Sequence, residues 1–101
     1  MNKYTLYIGA NNKTEQVDYE TLHKVVGWWF KGYTVTEAVG VWEGKREKAC
    51  AVTIFSELTL GKDATDGSIL LMAKELCTKL DQYCILVEID GKGVMVDNPS
   101  K

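Results

Sequence analysis

Gly32 to Phe55, GYTVTEAVGVWEGKREKACAVTIF, reads as two long β-strands folded back at a charged turn, Glu43-Gly44-Lys45-Arg46-Glu47. Side chains alternate across a strand, so the first limb sends Tyr33, Val35, Val39 and Val41 to one face, with Glu37 the exception. Its other face carries Thr34, Thr36, Ala38, Gly40 and Trp42. The return limb sets Cys50, Val52 and Ile54 against Ala49, Ala51, Thr53 and Phe55. A hairpin with one apolar face has to bury it against another layer, which points to an α+β domain with this hairpin as the central pair of its sheet.

The flanking segments supply that layer. Upstream, Lys3 to Ile8 alternates, with Tyr4, Leu6 and Ile8 on one face, and stops at Gly9. Asn11-Asn12 marks a turn, and Asp18 is placed to cap a helix over Tyr19–Phe30 whose apolar stripe is Tyr19, Leu22, Val25, Val26, Trp29 and Phe30. Gly32 is expected to close this helix in the left-handed conformation. Downstream, Ser56 to Thr65 reads as a connection with a turn at Gly61-Lys62-Asp63. Asp66 or Ser68 then caps a second helix, Ile69 to about Gln82, with Ile69, Met72, Ala73, Leu76 and Leu80 as its stripe and Cys77 at the edge. Tyr83–Ile89 is an apolar strand, Asp90-Gly91 a hairpin turn, and Val94–Val96 a last short strand. The order βαββαβ plus a short C-terminal strand predicts a ferredoxin-like split β-α-β fold: an antiparallel sheet with two helices on one face. Residues 1–97 form a single domain and 98–101 a frayed tail.

Composition narrows the function class. The 101 residues are 46% hydrophobic and 26% charged, enough apolar surface for one core. A net charge of −2 argues against a dedicated nucleic-acid binder, and the cluster Lys45–Lys48 is mixed in sign. No leader or membrane-length apolar run is visible, and Cys50, Cys77 and Cys84 show no metal spacing, so they read as reduced, buried thiols of a cytoplasmic protein. Phosphate-binding loops, dinucleotide fingerprints and zinc-protease motifs are missing, and no metal or cofactor is expected. The single histidine, His23, flanks its helix stripe and reads as a surface residue without a clear partner.

Exposed apolar groups carry more information. Trp28 and Leu71 fall outside their helical stripes and suggest a contact between copies, a dimer being favoured. Trp42, with Tyr7 and Phe55, belongs to the sheet face that the helices leave open; it is either the centre of an interface or the floor of a binding site. Lys13, Lys45 and Arg46 are the cations that could accompany Trp42 around a nucleotide. The leading expectation is a non-enzymatic, homo-oligomeric module that sequesters a host protein or a small ligand. The alternative is a small enzyme with its pocket at the oligomer interface, for which His23, Tyr7 and Cys84 are the candidates.

Leu6-Tyr7-Ile8-Gly9, the helix ending Trp29-Phe30-x-Gly32, and Tyr33-Thr34-Val35 with Gly40-x-Trp42 resemble a small family of uncharacterised bacterial and phage proteins. The similarity extends to Tyr83 and Ile85-Leu86-Val87, so it spans most of the chain. It brings no catalytic residues with it. It implies a phage accessory protein acting against a host defence.

Overall fold

The computed structural model describes residues 2–56 and 62–101. They form β1 (Asn2–Gly9), α1 (Tyr19–Trp29), β2 (Thr34–Trp42), β3 (Lys45–Ser56), α2 (Lys62–Lys79), β4 (Cys84–Ile89) and β5 (Lys92–Asp97). The fold is α+β: one five-stranded antiparallel sheet in the order β2-β3-β1-β4-β5 and two helices. This is not the order of a simple ferredoxin-like sheet, because β5 extends the β4 edge. The centre is also not where the hairpin was expected. β1 pairs with β3 on one side and β4 on the other, which leaves β2 as an edge.

One face of the sheet is buried. Tyr4, Leu6 and Ile8 of β1 lie opposite Ile54, Val52 and Cys50 of β3, and all six pack with Leu22, Val25 and Val26 of α1 and Ile69, Met72, Leu76 and Cys77 of α2. Removing this apolar surface from water is the main stabilising term. Asp18 caps α1 as its position suggests: the Thr21 N–H donates to Asp18 Oδ1 at 3.1 Å. The helix ends at Phe30, whose N–H reaches the Val26 carbonyl while its own backbone turns extended; Gly32 keeps no left-handed angle. α2 begins at Lys62, upstream of Asp66 and Ser68, and stops before the expected Gln82. Asp81 takes the left-handed conformation (φ 54°) and lets the Gln82 N–H return to the Cys77 carbonyl, a six-to-one closure of the helix end. The expected connection at 56–65 is cut short by strand and helix on both sides, and 57–61 lie outside the described residues.

The hairpin turn is tighter than its charges suggest. Only Glu43 (φ 48°) and Gly44 (φ 78°) make it, the mirror-image two-residue turn whose twist suits paired strands. Lys45 to Glu47 therefore belong to β3, opposite Trp42, Val41 and Gly40. The arm runs past the helices, so Val39 and Val41, expected in the core, are 69% and 65% exposed. The C-terminal residues expected to fray are tied down. Asn98 is buried, its Nδ2 donates to the carbonyls of Cys77 and Gln82, its N–H donates to the Tyr83 carbonyl, and Lys101 Nζ meets Asp81 Oδ1 at 2.7 Å. Among the described residues, no helix is long and apolar enough to cross a membrane.

Candidate functional site

The sheet face without helices is a shallow trough. Its floor is made of small residues: Thr34, Thr36, Ala38 and Gly40 on β2, Ala49, Ala51 and Thr53 on β3, Thr5 and Gly9 on β1. One row across it reads Met95, Leu86, Tyr7, Ala51 and Thr36 from β5 to β2. Tyr7, Leu86 and Met95 stand exposed there, so the middle of the face is apolar and unoccupied by the protein's own helices.

Two carboxylates interrupt this surface. Glu88 lies one row from Tyr7, and the Tyr7 hydroxyl donates to its Oε1 at 2.8 Å. That hydrogen bond, before burial and the charge of Glu88 itself, raises the Tyr7 phenol above its ordinary pKa. Tyr7 thus keeps its proton and presents a fixed ring beside a fixed negative charge. Glu47 lies flat across the trough, in the space left by two glycines: a Cβ on Gly40 would meet its Cγ at 3.4 Å, and one on Gly9 would meet its Oε1 at 3.0 Å.

The expected site residues are only partly gathered here. Tyr7 and Cys84 share the trough by register, and Cys84 is exposed, contrary to its expected burial. Trp42 and Phe55 share the face but not a platform. Trp42 pairs with Lys45 at the arm's tip and Phe55 with Lys3 at the other end of β3, about 33 Å away for ten strand residues. Lys45 stands beside Trp42, whereas Arg46 faces the helix side, and Lys13 sits in the β1–α1 loop. Lys45 and Arg46 line a cleft of about 330 Å³ with Asn11, Asn12 and Glu47; a neighbouring cleft of about 400 Å³ holds Tyr19, Glu37 and Lys48. His23 is remote from all of this: its Nδ1 meets the Tyr33 hydroxyl at 2.7 Å on the outer surface, a partner the sequence did not suggest. Trp28 and Leu71 are exposed on the helices; Trp28 stacks edge-on with Trp29 in a cleft bounded by Glu75 and Lys79, and Leu71 lies one helical turn before Glu75. Glu47, Glu88 and Gln82 escaped the sequence reading. The one available signal was the Glu43-Gly44 dipeptide: a two-residue turn there puts Glu47 opposite Gly40.

No protein-family model and no curated protein matches the sequence. Two solved structures share its fold. A phage SAM lyase in its apo state superposes with a TM-score of 0.81 at 18% identity, over 97% of this chain and 90% of that one. A phage SAM lyase in complex with S-methyl-5'-thioadenosine superposes at 0.67, also with 18% identity, over 95% and 84%. The expectation of a non-enzymatic module is overturned by this result: the structures sharing the fold from end to end are those of an enzyme.

Proposed function

We propose that the protein is an enzyme that cleaves S-adenosylmethionine at its sulfonium, with the sheet trough as one wall of a pocket completed by a second copy of the chain. The observation that carries the reading is the end-to-end superposition on a SAM lyase. S-Methyl-5'-thioadenosine is what remains of S-adenosylmethionine when the bond from sulfur to the four-carbon amino-acid chain breaks. The sulfur departs with the bonding pair and becomes a neutral thioether. If the substrate's own carboxylate attacks the released carbon, a lactone forms, no proton moves, and a positive and a negative charge disappear together.

Such a charge-annihilating step is slowed by water, which solvates the two charges better than the transition state; a water-excluding pocket favours it. The trough alone is too open to exclude water. Cover by a second copy supplies that need, and it supplies it where Tyr7, Leu86 and Met95 are exposed. The Tyr7 ring offers a face for the sulfonium, and Glu88 adds negative charge beside it. The fold also supports the finer reading of an elaborated ferredoxin-like sheet, since β2-β3-β1-β4 alternate with helices leaving β1 and β3. Consumption of S-adenosylmethionine removes the donor for methyl transfer, a chemical route to counter-defence in a phage protein.

Purified protein incubated with S-adenosylmethionine should release S-methyl-5'-thioadenosine, followed by liquid chromatography. Glu88→Gln should raise the KM for S-adenosylmethionine about tenfold or more, because the carboxylate holds the sulfonium of the substrate and not the neutral thioether that leaves. No thioadenosine from wild-type protein at any concentration would end the proposal.

A further inference from the structure

We infer that Glu47 and Gln82 form a recognition site for a primary ammonium group above Gly9; its assignment to the amino-acid end of S-adenosylmethionine rests on the reading just given. Gln82 is only 7% exposed, and its Nε2 donates to the carbonyls of Ala10 and Leu80. Those two carbonyls fix the amide's orientation, so Oε1 faces the trough. A Cβ on Gly9 would lie 3.3 Å from this oxygen and 3.0 Å from Glu47 Oε1. Two acceptors thus converge over the one residue of β1 on this face that has no side chain to fill the gap. Among the described residues, no donor reaches either oxygen, and Lys45, next to Glu47 on the same face, makes no ion pair with it.

Glu47 is exposed and Gln82 Oε1 is open to water, so both acceptors are hydrated in the free protein and available to the donors of a ligand. The donor set defines its chemistry. One carboxylate oxygen and one amide oxygen fall far short of the six or more ligands that calcium or magnesium takes. A sulfonium has no N–H to donate to Gln82. A primary ammonium has three donors and a full charge, so it satisfies both oxygens at once. Spacing agrees. Gly9 and Tyr7 are same-face neighbours on β1, about 7 Å apart, on the order of the four-bond span from sulfur to nitrogen in the substrate. A sulfonium over the Tyr7 ring therefore leaves the ammonium within reach of Glu47 and Gln82.

The test compares two ligands that are not cleaved. S-Adenosylhomocysteine carries the ammonium, and S-methyl-5'-thioadenosine lacks the whole amino-acid chain. By calorimetry, Glu47→Gln should weaken S-adenosylhomocysteine by about tenfold or more and leave the thioadenosine within about twofold. Gly9→Ala should reproduce this by filling the gap. Equal loss for both ligands, or loss for neither, overturns the ammonium site while leaving the enzyme reading intact. If wild-type protein binds neither nucleoside, that reading fails, and the site is judged by methylammonium alone. Shifts of the Gly9 amide resonance with methylammonium, but not with tetramethylammonium and not in Glu47→Gln, would sustain it; their absence would sink it.

Discussion

Tyr4 lies wholly inside the core, yet its hydroxyl has a partner: it donates to Asp66 Oδ1 at 2.6 Å. Burial first, then Asp66, pushes its pKa from 10.0 up to about 12. Folding therefore tightens proton binding. The associated stability is complete below pH 10, the unfolded value, and is lost as pH climbs through about 12. The size is on the order of 3 kcal/mol. Urea midpoints measured at about pH 8 and about pH 11 should fall further in wild type than in Tyr4→Phe; parallel curves would contradict the assignment. Cysteines separate at the same scale. Burial pushes the thiols of Cys50 and Cys77 up to about 11, whereas Cys84 stands exposed in the trough. A maleimide should modify one thiol in native protein and the other two only in denaturant. No labelling of native protein would show that Cys84 is covered, and labelling of all three that the core opens.

At the level of elements, Asn98 clamps the end of α2 to the start of β4 through the carbonyls of Cys77 and Gln82. Asn98→Ala leaves the Gln82 carbonyl without its donor, while the Cys77 carbonyl keeps the Gln82 N–H, and should cost about 1–3 kcal/mol in a denaturant titration. A change within a few tenths would mean that water replaces the side chain. Elements were also the level most legible in the sequence. Tyr4, Leu6 and Ile8 at period two, and Leu22, Val25 and Val26 at helical spacing, announce their layers because burial imposes the period. The trough's polar groups are hidden by the same logic. A charged residue on a strand reads as solvated, and nothing in the neighbourhood of Tyr7 reveals that Glu88, 81 residues on, will be beside it. That pairing needs β4 to lie against β1, a fact of topology. The apolar run Tyr83–Ile89 likewise concealed which of its side chains would face outward. Cys84 was lost that way.

For the whole molecule, shape is the signal. The chain measures 40 × 24 × 24 Å and exposes 6520 Å², against roughly 5,700 Å² for a folded monomer of its mass. The surplus, about 800 Å², is what one partner contributes to an interface of ordinary size. The arm is where such a contact fits, since Val39, Val41 and the 74% exposed Trp42 leave both of its faces apolar. Light scattering should therefore find a homo-oligomer at micromolar concentration, and Trp42→Ala should shift it toward monomer by about tenfold or more in dissociation constant. A monomeric wild type with full activity would remove the second copy from the pocket. The arm also carries an arithmetic of descent. Glu43-Gly44 fixes where it folds, and β3 is paired with β2 along one side and β1 along the other. Losing one residue from β3 would turn Glu47 to the helix side and Arg46 into the trough. Relatives that lengthen or shorten this arm are accordingly expected to do so by an even number of residues in each limb.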